Sequence, residues 1–349
     1  MSAAAPSIRI LMCEDSPTYA AALRRLLEFD GDIAVVAICA SAEAALEALP
    51  EAAPDLVTMD IELPGINGLE AVEEIMGVRP VPVVVISSHT QAGSDVAAAA
   101  LAGGALDAVA KDDLDLLDPG GIAGAAFRRR VRILSHARVI RHPRARLRSA
   151  GRRSASVPAA AVVAVCASTG GPQALLSLLG ALPADFAVPV LVVQHMAAGF
   201  AGSLAGWLDG AVAVPVGLAP DTAVPVEPGV WIAPDGAHLV LRPDFALDLD
   251  RVTPAGSHRP SGDVLFRSVA AAARSEAVAV VLTGMGSDGA AGAQAVRSAG
   301  GVVIAQDEAS SVIFGMPKAA AAGGPSLVLP PERIGSYLAR IRPTQRVAR

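Results

Sequence analysis

Short, mostly apolar runs recur along the chain, and each is followed by a stretch in which apolar residues return at helical spacing. Residues 8–13 form the first such run and read as a buried strand ending at Glu14 and Asp15. Ser16 and Pro17 then supply an N-cap and a first helical residue, and Tyr19, Ala22, Leu23 and Leu26 mark the apolar face of a helix. Further runs at 33–38, 56–59, 81–86 and 105–110 alternate with Ala/Leu/Glu-rich stretches. This alternation predicts a doubly wound α/β domain around a parallel sheet.

The same rhythm resumes later, with strand candidates at 161–166, 189–194, 230–233, 278–282 and 302–305 and helical segments at 174–182 and 263–273. A second α/β domain with a parallel, Rossmann-like sheet is therefore expected. Between the two, residues 128–153 hold 11 arginines and no acidic residue. The predicted organisation is a first domain over 1–120, an arginine-rich linker over 121–157 and a second domain over 158–349.

Composition narrows the picture. A chain of 349 residues has room for two ordinary cores, and 52% hydrophobic with 18% charged residues excludes a largely disordered protein. Aromatics are only 3%, so Ala, Val and Leu must fill the cores. The three cysteines, Cys13, Cys39 and Cys166, have neither disulfide-framework nor zinc spacing. Residues 154–184 carry no charge, yet Pro158, Ser168, Gly170, Gly171 and Pro172 break the stretch, which argues against a membrane span. With no secretory pattern at residues 1–9, a cytoplasmic protein without membrane insertion is expected.

The net charge of -6 conceals a division: residues 1–120 carry 20 acidic and 5 basic residues, and residues 154–349 carry 14 and 12. The arginine segment lacks interleaved aromatics and adjoins the acidic half, so it reads as a solvated linker or one docked on that half. No nucleic-acid partner is expected.

In a doubly wound sheet the loops at the carboxyl ends of the strands share one edge, where such folds build their sites. The first domain would gather Glu14, Asp15, Asp60, Ser87 and Lys111 there. Crowded carboxylates repel unless a hard divalent cation neutralises them, and Mg2+ suits such a set. One carboxylate could then accept a phosphoryl group, with Mg2+ and Lys111 stabilising its charge.

In the second domain Ser168, His195 and Asp288 each follow a strand candidate. A serine hydroxyl becomes nucleophilic when an imidazole takes its proton, and a carboxylate fixes that imidazole's tautomer. His238 and His258 are rival bases, His258 the stronger of the two. The glycine-containing turns 168–172 and 283–289 offer backbone N–H groups for an oxyanion hole. Gly170-Gly171 lacks the spacing of a dinucleotide-binding turn.

Two resemblances sharpen these readings. Met12-Cys13-Glu14-Asp15-Ser16, Met59-Asp60-Ile61-Glu62-Leu63-Pro64-Gly65, Ile86-Ser87-Ser88 and Lys111 resemble a response-regulator receiver domain over residues 8–118. The resemblance implies that Asp60 is the phosphoacceptor and that Glu14, Asp15 and Asp60 bind Mg2+ with the backbone carbonyl of Glu62. It also implies that Ser87 and Lys111 contact the phosphoryl group. Asp112 stands where the family usually has proline, and Ala108 where it has its aromatic switch residue.

Ala167-Ser168-Thr169-Gly170-Gly171-Pro172, Gln194-His195-Met196, residues 259–266, Leu282-Thr283-Gly284-Met285-Gly286-Ser287-Asp288-Gly289 and residues 314–319 resemble the chemotaxis protein-glutamate methylesterase (CheB) family. The resemblance spans residues 160–335. It implies Ser168 as nucleophile, His195 as general base and acid, Asp288 as orienting carboxylate, and the backbone N–H groups of Thr169 and Met285 as the oxyanion hole. The esterase chemistry needs no cofactor. The implied substrates are glutamate methyl esters, and glutamines, on chemoreceptors, with a chemotaxis histidine kinase as phosphodonor. Cys166 stands where the family commonly has glycine and reads as a buried thiol.

Overall fold

The computed structural model describes residues 8–63, 68–87, 97, 99–101, 103–137, 159–254, 258–324 and 327–344. The chain divides into two compact units, residues 1–142 and 143–349. In the first, β1 (Ile8–Cys13), α1 (Pro17–Leu27), β2 (Ile33–Cys39), α2 (Ala42–Ala52), β3 (Leu56–Asp60), α3 (Gly68–Val78), β4 (Val83–Ser87), β5 (Asp107–Ala110) and α4 (Ile122–Ser135) follow one another. Ser16 caps α1 through its hydroxyl, 3.3 Å from the Tyr19 N–H, and Ser41 caps α2 through the Ala44 N–H at the same distance.

The five strands form a parallel sheet in the order β2-β1-β3-β4-β5. Every residue of β3, β4 and β5 is buried, the pattern of strands covered on both faces. The order reverses direction at β1 and β3. The loops that leave these two strands therefore flank the crevice in which doubly wound sheets place their sites.

The structure corrects the start of the linker. Helix α4 occupies residues 122–135 and buries Phe127, Arg128, Val131 and Leu134. The arginines obscured this helix, because the apolar stripe Phe127, Val131 and Leu134 falls at i, i+4 and i+7 among them. Three of those arginines are not solvated linker charges. Arg132 pairs with Asp30 and Asp32, each at 2.6 Å, and Arg130 pairs with Asp107. Arg128, 2% exposed, donates to the Asp30 carboxylate at 2.8 Å and to the carbonyls of Leu26 and Pro119 at 3.2 and 2.6 Å. The remainder of the arginine-rich segment, from residue 138, lies outside the described residues.

The second unit contains β6 (Ala159–Ala160), β7 (Val162–Ala167), α5 (Gly171–Leu179), β8 (Val190–Gln194), α6 (Ala201–Ala211), β9 (Val216–Leu218), β10 (Val224–Pro225), β11 (Val230–Ile232), β12 (His238–Leu241) and β13 (Ala246–Asp250). It continues with α7 (Gly262–Ala273), β14 (Ala277–Val281), α8 (Ala290–Ser298), β15 (Val302–Gln306), α9 (Met316–Ala322), β16 (Leu327–Leu329), α10 (Pro331–Leu338) and β17 (Arg342–Pro343). Seven of these strands form a parallel sheet in the order β16-β15-β14-β7-β8-β11-β9. Along β7 alternate side chains enter opposite cores. Val163, Val165 and Ala167 pack with Leu175, Leu178, Leu204 and Ile334, and Val162, Ala164 and Cys166 pack with Leu265, Phe266, Val269 and Val296. Helices thus cover both faces.

One element was not expected: an antiparallel sheet in the order β10-β13-β12. It takes His238 out of contention as a base, since that side chain is fully buried on β12 with Nε2 3.1 Å from the Thr253 carbonyl.

The Arg128 contacts generate a stability test. In Arg128→Ala, two carbonyls and a carboxylate lose their buried partner, so denaturant unfolding should report a loss of about 2–4 kcal/mol. Truncation of the exposed neighbour, Arg129→Ala, should stay within about 0.5 kcal/mol.

Candidate active site

Each unit carries a charged cluster at the carboxyl edge of its sheet. In the first, Glu14 and Asp15 follow β1, Asp60 ends β3, Ser87 ends β4 and Lys111 follows β5. Strand register sets Asp60 beside Ile86, bringing Ser87 to the same edge. Lys111 Nζ lies 2.7 Å from Asp60 Oδ2 and 3.5 Å from Glu14 Oε2, with its ammonium 4.8 Å from the centre of the Tyr19 ring. The Glu62 N–H donates to Asp60 Oδ1 at 3.1 Å, which orients the carboxylate. Pro64, Gly65 and Ser88 lie outside the described residues.

One Lys111 ammonium serves two buried carboxylates. Burial, followed by the charge of Asp60, pushes the Glu14 carboxyl up to about 7, against the Ser16 N–H and Lys111. Ligand oxygens of Glu14, Asp15 and Asp60 lie within 4.8 Å of one another. An all-oxygen, electron-rich donor set in which one carboxyl resists ionisation is short of positive charge, and it fits a hard divalent cation such as Mg2+.

In the second unit Ser168 follows β7, His195 follows β8 and Asp288 lies in the loop after β14. These are the three central strands of the sheet, so their loops meet at its reversal point. His195 Nε2 is 2.8 Å from Asp288 Oδ2, and the two side chains are only 9% and 11% exposed. The pairing assigns the proton to Nε2. His195 Nδ1 has no hydrogen-bond partner and is the nitrogen free to accept a proton.

Asp288 is held as an anion by an uncommon set of donors. Ser261 Oγ and the Asp263 N–H donate to Oδ1 at 2.9 and 3.0 Å, and the Gly262 N–H donates to Oδ2 at 2.6 Å. Ser261 is the N-cap residue of α7, yet its hydroxyl does not cap its own helix. The carboxylate arriving from the β14 loop takes the free N–H groups instead. Burial opposes ionisation of Asp288, but the bonds from His195, Gly262 and Asp263 outweigh it and hold the carboxyl well below its usual range.

The turn that carries Ser168 is equally constrained. Gly170 adopts φ 74°, which lets the chain turn from β7 directly into α5. A Cβ on Gly284 would lie 2.6 Å from Ser168 Cβ, so only glycine lets the two loops approach. Gln194 Nε2 donates to the carbonyls of Ser168 and His195 at 2.9 and 2.8 Å, adding a rung beyond the ends of β7 and β8. Thr283 Oγ1 donates to the Thr169 carbonyl at 3.0 Å, tying the loop of Thr169 to the one that carries half-buried Met285.

The structure therefore brings together Ser168, Thr169, His195, Met285 and Asp288 in one unit and Glu14, Asp15, Asp60, Glu62, Ser87 and Lys111 in the other. Sequence reasoning missed Ser261, Gln194 and Tyr19. A serine two residues before the predicted helix at 263–273 was the available signal for Ser261, although its partner is remote. His258 is not the partner of Asp288; its ring stacks on that of His195.

A family model described as CheB methylesterase matches residues 163–338, and one described as response regulator receiver domain matches residues 10–117. Among curated proteins, the chain is similar to protein-glutamate methylesterase/protein-glutamine glutaminase 4 of Myxococcus xanthus, at 41% identity over 89% of this chain and 90% of that protein. It is also similar to protein-glutamate methylesterase/protein-glutamine glutaminase 1 of Caulobacter vibrioides, at 42% identity over 90% of this chain and 91% of the other. Among solved structures, the Thermotoga maritima CheB methylesterase catalytic domain matches 52% of this chain and 98% of its own, with 39% identity and a TM-score of 0.50.

A cation held by this cluster would bind in a pH-dependent way, because the Glu14 carboxyl is raised. In the metal-free protein the proton on Glu14 favours the folded state below the ordinary value of 4.5, and that stability is lost as pH rises to about 7. Mg2+ must displace the proton, so its affinity should climb with pH up to about 7 and level off above. Calorimetry in buffers of different ionisation enthalpy at pH 6 should show release approaching one proton per Mg2+, and none in Glu14→Gln.

Proposed function

The chain belongs to the CheB methylesterase family, and from that premise we propose that it hydrolyses glutamate γ-methyl esters on chemoreceptors through Ser168, His195 and Asp288, under control of phosphorylation at Asp60. The observation that carries this reading is the His195–Asp288 pair at 2.8 Å, with Nδ1 left free at the edge where Ser168 sits.

Ser168 Oγ attacks the ester carbonyl as its proton passes to His195 Nδ1, and the imidazolium is stabilised by Asp288 at Nε2. The negative oxygen of the tetrahedral intermediate is bound by the N–H groups of Thr169 and Met285, near the N-terminus of α5. His195 then gives its proton to the departing methoxide, releasing methanol and leaving an acyl-serine. Water, deprotonated by His195, attacks the acyl group, and His195 returns that proton to the departing Ser168 Oγ as glutamate is freed. With a glutamine side chain the same path releases ammonia, which is the deamidation named in the relatives' glutaminase activity.

In the first unit, Asp60 accepts the phosphoryl group from a chemotaxis histidine kinase. Glu14, Asp15, Asp60 and the Glu62 carbonyl would hold Mg2+, which when bound neutralises charge on the carboxylates and the incoming phosphoryl group. Lys111, released from its pair with the Asp60 carboxylate, contacts a phosphoryl oxygen, and the Ser87 hydroxyl contacts another. The receiver comprises residues 1–120 together with α4, the arginine-rich segment after it is the linker, and the esterase begins near residue 158. The unphosphorylated receiver restrains the esterase, and the added phosphate changes a charge balance already weighted to the acidic side. Among the described residues no helix is long and apolar enough to cross a membrane.

Methanol release from methylated receptor membranes tests both halves. Ser168→Ala should lower release by about a thousandfold or more, with or without a small-molecule phosphodonor. Asp60→Asn should keep the basal rate and lose the increase that the phosphodonor gives to the wild type. Full release by Ser168→Ala would sink the serine mechanism, and a phosphodonor response in Asp60→Asn would sink the assignment of the phosphoacceptor.

A further inference from the structure

Resting on the triad reading above, we propose that His258 is a positioning residue for the reaction: its neutral ring, stacked on His195, fixes the plane of the general base and shares the positive charge that base acquires. The two rings lie with centroids 4.3 Å apart and an interplanar angle of 14°. His195 is otherwise held at one ring atom, Nε2, by Asp288. An imidazole anchored at one nitrogen swings about that bond, and a parallel ring on its face suppresses the swing that would take Nδ1 away from Ser168. During acyl transfer His195 becomes a cation, and an aromatic face beside a cation is attractive.

The same short segment grips both members of the base pair. Residues 258–263 present His258 to His195, and Ser261, Gly262 and Asp263 to Asp288. Ring and carboxylate are thereby referenced to one piece of backbone, so that their separation is set locally although they come from β8 and the β14 loop.

The stack works only while His258 is uncharged, since two imidazolium rings at this separation repel. The groups around it favour that state. His258 is exposed overall, yet desolvation of the ring face against His195, then the charge His195 can carry, holds it below the ordinary histidine value, against the pull of Asp288. Arg259 turns its guanidinium to the carbonyls of Arg251 and Thr253, at 2.9 and 3.1 Å. Asp263 accepts from the Gly292 N–H at 2.7 Å and faces Arg267 at 3.8 Å, and the Cys166 thiol stays neutral because burial pushes its pKa up.

The test uses the full chain, phosphodonor present throughout, with methanol release measured across pH. His258→Ala should lower kcat by about 3- to 30-fold with KM unchanged, the range expected for losing a partly desolvated cation–π contact. His258→Phe should restore kcat to within about threefold, because it returns a neutral aromatic face. At the acid end both proteins should first lose activity with a one-proton slope, and at still lower pH only the wild type should steepen, as His258 takes a second proton. Wild-type kcat in His258→Ala would overturn the proposal, as would failure of a folded His258→Phe, matched to wild type in Tm, to recover. Failure of the triad reading itself would appear separately, as methanol release surviving in Ser168→Ala.

Discussion

The second unit is organised around one buried charge. Asp288 must remain ionised in an interior built almost entirely of Ala, Val, Leu and Phe, where an isolated carboxylate would take up a proton. It does so because the N-terminus of α7 offers free N–H groups and Ser261 turns its hydroxyl to Asp288 instead of capping its own helix. The imidazole of His195 completes the set. The order of the strands follows from the same requirement, since β14 and β8 must flank β7 for the carboxylate, the base and the serine to share one edge. Gln194 and Thr283 then tie the loops of that edge together by backbone carbonyls, so their separation does not depend on flexible side chains.

The first unit faces the same problem with the opposite outcome. Its carboxylates also stand at the carboxyl edge of a parallel sheet, but the start of α1 gives them a single N–H, that of Ser16 at 3.0 Å from Glu14, against the three donors that α7 turns onto Asp288. A single ammonium, Lys111, is divided between Asp60 and Glu14. That supply is insufficient, and the Glu14 carboxyl rises to about 7. A site left short of positive charge takes up a cation, whereas a site supplied with fixed dipoles does not need one. The contrast is the physical basis on which two sites built on related sheets are assigned different chemistries under the proposed function.

Much of this was legible in the sequence, and for identifiable reasons. Parallel strands covered on both faces are continuous apolar runs, so β1, β3, β4, β7, β8 and β14 stood out, and the polar residue after each run was a candidate for the edge. The sheet β10-β13-β12 did not stand out, because its strands are short and one of them contains Pro225. Helix α4 was concealed by arginines that make ion pairs within its own unit. Spacing could not choose among His195, His238 and His258, since the choice depends on which ring meets Asp288. Roles performed by backbone N–H groups, as at Gly262 and Asp263, leave no mark in side-chain chemistry at all.

Cys166 poses the remaining question: what the thiol 4.0 Å from the Asp288 carboxylate contributes to the site. A thiol is reactive as its thiolate, and burial followed by the charge of Asp288 drives the Cys166 pKa well above its ordinary value. Burial and the carboxylate that pairs with His195 together silence the sulfur. Cys166 points into the apolar layer with Phe266 and Leu265, where a Cβ on Gly262 would collide with its Sγ. The glycine at the start of α7 thus does two things: its N–H holds Asp288, and its missing side chain admits the sulfur behind that carboxylate. A larger residue at position 262 would force α7 away from β7 and withdraw the donors that keep Asp288 charged, so the packing of an inert thiol and the ionisation of the catalytic carboxylate rest on the same backbone position.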